Sequence, residues 1–520
     1  MTKNRIGIIG SGATALYTLK HLLHSKKPLE LTVFESSSEV GKGMPYRTDM
    51  NADYMLCNAF SKEIPPLTRT LIQWLEELPK RELSEWELSA HDISPRAFYP
   101  RLLIGEFLAD EFDRLCKLAR QLGHKVTIKP NERVKDIVAC EGGTASIYSD
   151  KAAEPGIFDQ VIIASGHSWP AKPHLDDANL LSPWPYTHVT ALPPGNIGIL
   201  GSSLSAIDVV IALGNSHGKF DDQGETVSWQ PNQDAANLKI TMFSKEGIMP
   251  EGDFYYPFPY EPLKIFSPEA VDAEITRGSK GLLQRVFDLL WRELDHSDPD
   301  YLKHLDVEGS GMEGFATAYF ERRKELGGLA AVKDDFIKAR KSFRARMTIP
   351  YRYVLLRAHE NFDRALRILE EADWKLFTQT LLPVFTDSYA AVPHLSLSRV
   401  IAMFDAKVLE LKSSGKDASF KNGPSGSVEI KFNGERLKVD VLIDARGQAA
   451  APLDRLPFPS LVKKLAPDQQ RLEAPFKLKT PTSIYCLALP QLLERYPFCQ
   501  GLANSAENGK TVAEDILNNV

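Results

Sequence analysis

The sequence predicts an α/β fold: two Rossmann-like domains, one inserted in the other, with an additional, mostly helical insertion. Three observations predict it. Two apolar stretches each run into a small-residue turn and then a helical repeat, "RIGIIGSGATALYTLKHLL" near the start and "NIGILGSSLSAIDVVIAL" from residue 196. Short apolar strands recur downstream and end in small-residue turns, "FDQVIIASG" and "VDVLIDARG". From about 260 to 400 the strand pattern gives way to amphipathic helical repeats.

A chain of 520 residues is too long for one ordinary core, so two or three domains are expected. The spacing of the segments sets them at 1–175 with 451–520, at 190–260 with 380–450, and a helical insertion over 260–380. A net charge of -6 advertises neither nucleic acid nor an anionic membrane surface. The opening "MTKNRIGIIG" runs straight into a strand and leaves no room for a secretory signal. No apolar run reaches the length of a membrane span, and the expectation is a cytoplasmic protein. The five cysteines are scattered, with no C-x-x-C spacing, so neither a disulfide framework nor a redox dithiol is indicated.

In the first turn each small residue has a mechanical reason. Gly10 permits the tight reversal, Gly12 lets a pyrophosphate approach the backbone, and Ala15 lets helix pack closely on strand. Ala13 then opens a helix whose free N–H groups face the phosphates. The second strand, "LELTVFES", ends at Glu35 and Ser36, where an acid takes a ribose hydroxyl pair. Glu35 would repel a 2′-phosphate, so the ligand expected here is FAD or NAD rather than NADP.

"EVGKGMPYRTDMNADYMLCNAFS" follows, and "SPRAFYPRLLIGEFL" carries an F-x-P-R segment. These stretches resemble the FAD/NAD(P)-binding oxidoreductases of the two-dinucleotide-binding-domain flavoprotein group, a bacterial family with a G-x-P-Y segment here in particular. The resemblance favours FAD over NAD at the first site. It implies that Gly43, Met44, Pro45, Tyr46 and Asn58 lie near the flavin or pyrophosphate. It gives Arg101 a cofactor role, against the alternative of a surface salt bridge, and Val134 a backbone contact with adenine. The turn Ser165-Gly166-His167 stands where such flavoproteins carry A-T-G and the chain leaves the FAD domain. With Asp159 and Ala164 it is distantly similar to the D-x3-L/F-A-T-G-Y signature of N-hydroxylating flavin monooxygenases, departing from it at Ile163, Ser165 and His167. His167 either bonds near the cofactor or is structural.

The second turn, "GILGSSLSAID", keeps Gly201 and Ala206 but has Ser203 where the middle glycine belongs. Ser203 adds a Cβ where phosphate must approach and a hydroxyl that can donate to it. Ser202, Leu204 and Ser205 complete the expected contacts, and the turn is either a working site or a relic. The next strand, "LKITMFSKEG", ends in Ser244 and Lys245, which suit a 2′-phosphate and favour NADPH, although Glu246 stands beside them. The long connection "GNSHGKFDDQGETVSWQPNQDAAN" reads as a surface insertion.

In the helical region "GLLQRVFDLLWREL" sets Leu282, Val286, Leu289 and Leu290 on one face, and "NFDRALRILEEADWKLFTQTLLPVF" reads as another helix. The basic run Lys338, Arg340, Lys341, Arg344, Arg346, Arg352 and Arg357 is either a solvated helix face or an anion-attracting rim. In the tail, "PFCQGLANSAENGKTVAEDIL" resembles the family's C-terminal flavin segment, with Asn508 and Gly509 expected to start a helix aimed at the isoalloxazine.

Two nucleotide folds imply FAD reduced by NADPH. The expected function is a monooxygenase acting on a small molecule through a flavin hydroperoxide, with N-hydroxylation as one form of it. An NAD(P)H:acceptor reductase and a non-catalytic flavin-binding partner protein are the alternatives. No side chain is singled out as catalytic, no metal site is indicated, and the oligomeric state is left open.

Overall fold

The computed structural model describes residues 4–169, 173–222, 226–307, 309–389, 391–469 and 471–519. The chain divides into two units, residues 1–168 with 448–520, and residues 169–447.

The first unit is built on a five-stranded parallel sheet, ordered Ser483–Cys486, Gln160–Ile163, β1 (Asn4–Ile9), β2 (Leu29–Phe34), Lys125–Lys129. Its inner strands, Gln160–Ile163 and the second half of β1, are apolar and buried because both faces are covered, whereas the edge strand Lys125–Lys129 alternates exposed and buried residues. On one side lies a three-stranded antiparallel meander over 134–158; Phe158 meets Phe34 edge to face at 5.9 Å. Gly7 makes room for it, since a Cβ there would stand 2.6 Å from Ile147 Cδ1. On the other side α1 (Ala13–Leu22) packs along the C-terminal helix Leu502–Asn518.

That last helix corrects the reading of the tail. Asn508 and Gly509 do not begin it; it begins after Gly501 (φ 123°), and the pair falls in its second and third turns. Gly509 is a packing residue: a Cβ there would meet the Thr18 backbone nitrogen at 2.8 Å. The Asn-Gly pair carries a turn signal locally, and the contact with α1 overrides it.

The second unit repeats the plan with a four-stranded parallel sheet, ordered Leu409–Ser413, Lys239–Ser244, Asn196–Leu200, Val441–Asp444. A three-stranded antiparallel sheet over 419–439 covers it, with Phe432 against Phe243 at 5.3 Å. Gly198 stands where Gly7 stands in the first sheet, its absent Cβ 2.8 Å from Leu442 Cδ1. The connection read as a plain surface insertion instead forms a hairpin, Gly218–Asp222 with Val227–Pro231. Trp229 anchors it, 5% exposed, donating from Nε1 to the Gly214 carbonyl at 2.9 Å.

The helical region extends beyond 380: Leu381–Tyr389 and His394–Asp405 are both helices. Leu282, Val286, Leu289 and Leu290 are all buried, as the periodicity requires. The stretch read as one helix over 361–385 is broken into three, Pro350–Leu366, Glu371–Gln379 and Leu381–Tyr389. Phe362, Phe377 and Phe385 lie 5.1–6.3 Å apart. A straight helix would set Phe362 and Phe377 roughly 22 Å apart, so burying all three rings together needs the breaks. No helix among the described residues is long and apolar enough to cross a membrane.

A side chain at position 509 would force α1 away. Gly509→Val should destabilise the first unit by about 1–3 kcal/mol, read as an earlier unfolding midpoint. Asn508→Ala next to it should shift the midpoint by no more than about 0.5 kcal/mol.

Candidate functional site: two strand–turn–helix cradles

The two turns share one geometry. Gly10 donates its N–H to the Phe34 carbonyl at 2.8 Å, and Gly201 donates to the Phe243 carbonyl at 2.7 Å. Both have positive φ, 99° and 121°, and at both a Cβ would collide with the carbonyl of the third strand's exit, Ala164 O at 2.3 Å and Ala445 O at 2.5 Å. Such a position admits only glycine. Ala15 and Ala206, each at most 2% exposed, occupy matching places in the two helices.

In the first turn, α1 starts at Ala13 behind Gly12, and no side chain caps it. Its first N–H groups are left for an anion. Gly12 needs to be glycine because the chain returns over it: a Cβ there would lie 3.0 Å from Gly43 Cα. Gly43 (φ 76°) leads the 3-10 turn Met44–Tyr46, and Gly105 is likewise shaped to fit beneath Tyr46, a Cβ there falling 2.3 Å from the Tyr46 carbonyl. Thr14 Oγ1 donates to Ser505 Oγ at 3.2 Å, so the uncapped N-termini of α1 and the C-terminal helix lie side by side. Two positive dipole ends converge there.

Glu35 sits at the end of β2, 6% exposed, and accepts from Ser11 N and Oγ at 3.1 and 2.8 Å. Its other oxygen takes the Ser37 N–H at 2.9 Å and the Ser36 hydroxyl at 3.3 Å. Glu132 donates its N–H to the Glu35 carbonyl at 2.8 Å, which brings the backbone before Val134 against the end of β2. Val134 itself starts the meander, opposite Ser149.

Arg101 opens the long helix Arg101–Gln121, its N–H on the Met55 carbonyl at 2.8 Å. Its positive charge acts on Tyr46, Cys57 and His167, so these residues, far apart in sequence, share one neighbourhood. Burial, and behind it Arg101, hold His167 down at about 4 against a hydrogen bond that its ring donates to Gln448; the ring is neutral at physiological pH. Gln448 also closes a two-way bond with Ser168, accepting its N–H and donating to its carbonyl, both at 2.9 Å. Ser165 and Asn58 are exposed, and Gly166 (φ 68°) turns in open space. Asp159 is spent elsewhere, paired with Arg5 at 3.1 Å.

In the second turn Ser203 adopts φ −92° and ψ −164°, an extended backbone open to any residue and close to that of Gly12. Its hydroxyl makes no capping bond, so the N-terminus opened by Leu204 and Ser205 is as free as that of α1. The substitution leaves the turn intact. Ser202 is buried like Ser11 and donates to the Ile248 carbonyl at 2.5 Å. Ser244 occupies the place of Glu35: Leu200 pairs with Phe243 as Ile9 pairs with Phe34. Lys245 beside it is exposed, and Glu246 is neutralised by Lys324 at 2.9 Å.

The basic run does not form one face. Arg352 is 2% exposed and paired with Glu251 at 2.7 Å, whereas Arg357 pairs with Glu360 and covers the Tyr260 ring at 3.8 Å. Arg344 and Arg346 are exposed. Sequence reasoning missed Glu251, because its partners Arg323 and Arg352 lie 72 and 101 residues away. It also missed Gly501, whose signal was a glycine just before a helical repeat.

Three outcomes check this geometry. Gly12→Ser should displace the Gly43 loop and destabilise the first unit by about 1–3 kcal/mol, read as an earlier unfolding midpoint, while Ser203→Gly should change stability by no more than about 0.5 kcal/mol. The His167 value falls from an ordinary 6.5 to about 4, so the unfolded chain takes up a proton there that the fold refuses. The resulting stability is complete above pH 6.5 and is lost as pH falls through 4. His167→Gln should therefore show a smaller loss in urea midpoint between pH 7 and pH 5 than the parent.

Residues 7–168 match the family described as FAD-NAD(P)-binding, and residues 267–389 match the YdhS-like middle domain. The Escherichia coli (strain K12) protein named Uncharacterized protein YdhS is 34% identical over 521 residues, covering 99% of this chain and 97% of that one. Among solved structures, the L-lysine 6-monooxygenase of Pseudomonas syringae aligns with a TM-score of 0.50 at 11% identity, over 100% of this chain and 99% of that one. The ornithine N-hydroxylase of Kutzneria sp. 744 aligns over both whole chains with a TM-score of 0.48 at 13% identity. The Pseudomonas syringae structure shares a fold with this chain. The relative of matching length shares much more, and the chain belongs to the family of YdhS, with an FAD-NAD(P)-binding domain and a YdhS-like middle domain.

Proposed function

We propose that the chain is an FAD-dependent oxidoreductase that draws hydride from NADPH and oxygenates a small molecule. The observation that carries this reading is one turn built twice with opposite charge at its far end: Glu35 in the first unit, Ser244 with Lys245 in the second. A carboxylate suits the two ribose hydroxyls of an adenosine and repels a 2′-phosphate; a hydroxyl beside a lysine suits that phosphate.

At the first site the N–H groups behind Gly12 would hold the pyrophosphate, and Glu35 would exchange its bonds to Ser11 for ribose hydroxyls. The backbone before Val134 would meet the adenine, and Gly43 to Tyr46, Asn58 and Arg101 would line the path towards the ring system. The N-terminus behind Gly501 would face developing negative charge on the ring, worth more in a water-poor site than in solvent. When bound, FAD supplies the two-electron chemistry that no side chain here can supply. His167, held neutral, adds no positive charge beside Arg101.

Oxygenation is favoured over disulfide reduction because no two cysteines share a C-x-x-C spacing and four of the five are buried. Burial raises Cys57, and pushes Cys116 up to about 11 and Cys486 up to about 12. Such groups stay protonated and are poor nucleophiles for thiol exchange.

Stopped-flow mixing with NADPH and with NADH, following flavin bleaching, tests the reading. NADPH should be preferred at least about tenfold, and Lys245→Glu should abolish the preference. Aerobic NADPH consumption that rises with added amines and yields hydroxylated product is the expected turnover. Turnover only with quinones or dyes under anaerobic conditions would make the chain an acceptor reductase instead. Protein that takes up no FAD would end the proposal.

A further inference from the structure

The helical region encloses a cavity of about 410 Å³, within the size range of small-molecule sites. It lies among the helices Gly311–Lys324, Gly328–Ala345 and Pro350–Leu366, wholly within the second unit. Its floor is a closed ion network. Arg323 binds Asp387 at 2.8 Å, Asp335 at 2.5 Å and the Met249 carbonyl at 2.6 Å. Arg352 binds Glu251 at 2.7 Å and the Gly252 carbonyl at 2.8 Å. Lys338 is paired with Asp334 at 2.5 Å. These charges are spent on one another.

Three lining groups are not. Lys341 and Arg322 have no ion-pair or hydrogen-bond partner for their side chains among the described residues, and the Thr348 hydroxyl is buried without one. An unmatched buried hydroxyl is destabilising until a ligand meets it, and two unmatched cations lining the same cavity are complemented by an anion. The wall beside them is aromatic. Tyr301 and Tyr351 stack at 3.9 Å and 4°, with Arg322 over the Tyr301 ring at 5.7 Å and Tyr351 half-buried. Leu326 and Met347, 58% and 68% exposed, bring apolar surface to the same cavity. Glu325, exposed and without a cation partner, also lines it and disfavours a polyanion such as a phosphate ester.

We infer that this cavity is a binding site for a small aromatic monocarboxylate, its carboxylate held by Lys341, Arg322 and Thr348 and its ring laid against Tyr351. The inference goes beyond the nucleotide reading and stands whether or not flavin binds.

Calorimetric titration of the full chain with benzoate, phenylacetate and indole-3-acetate, in saturating NADP+, tests it. At least one should bind with one-to-one stoichiometry. Lys341→Gln and Arg322→Gln should each weaken binding by roughly tenfold or more, and phenylacetamide should bind correspondingly worse than phenylacetate. Thr348→Val should weaken binding less, with an unfolding midpoint near the parent's. The inference is overturned if none of the three carboxylates binds below about 10 mM. It also fails if NADP+ competes with them, if both charge variants bind like the parent, or if phenethylamine binds as well as phenylacetate. Loss of flavin with binding retained would count against the oxidoreductase reading alone.

Discussion

Both sheets depend on a single steric fact at the end of their first strand. At Gly10 and again at Gly201 the chain reverses directly beneath the exit of a neighbouring strand, leaving no volume for a Cβ. Because the reversal is so short, the following helix begins over the sheet edge with its first N–H groups unsatisfied by protein. Those groups are open to an anion, and the neighbouring chain is arranged around that deficit. Gly43 gives up its side chain so that its loop can close over Gly12, and the C-terminal helix brings a second uncapped N-terminus alongside. A fold with one such cradle attracts an anion; this chain builds two and then makes them chemically unlike.

That unlikeness is set at one structurally equivalent position. Glu35 and Ser244 both follow the last residue of the second strand that pairs with the first, yet one is a buried carboxylate held by three serines and the other a neutral hydroxyl beside an exposed lysine. Glu246, which in the sequence alone blurred the preference, is neutralised by Lys324 from the helical region. The charge at the second site is thus decided partly by residues that belong to no nucleotide fold.

What was legible in the sequence was what is local. Strand, turn and helix follow one another within about twenty residues, so Gly10, Gly12, Ala15 and Glu35 could be placed from spacing alone. Arg101, Tyr46 and His167 lie up to 121 residues apart, and only a family resemblance singled them out. Where a residue's reason is a distant partner, spacing misleads: Asn508-Gly509 reads as a helix start, but Gly509 is small because Thr18 lies against it. The basic run failed in the same way. Its charges were visible, but Arg352 is buried by a carboxylate 101 residues earlier, which no helical periodicity reveals.

The helical region and the second cradle are mechanically one object. Arg323 and Arg352 hold the carbonyls of Met249 and Gly252, and Glu251 between them is buried in the network. Burial alone would raise the Glu251 carboxyl, and Arg352, then Arg323, outweigh it and keep the group below its ordinary value. Such a network is stable only when complete, since removing one partner leaves a buried charge unpaired. The segment it grips, Met249–Asp253, begins four residues after Lys245 and follows Ile248, whose carbonyl receives both Ser202 and Ser244. Whatever occupies the cavity rests on the same buried ions that fix this loop. The end of the second cradle is therefore held from one side by its own sheet and from the other by the helices, and a change in the network reaches Ser244 through four residues of backbone.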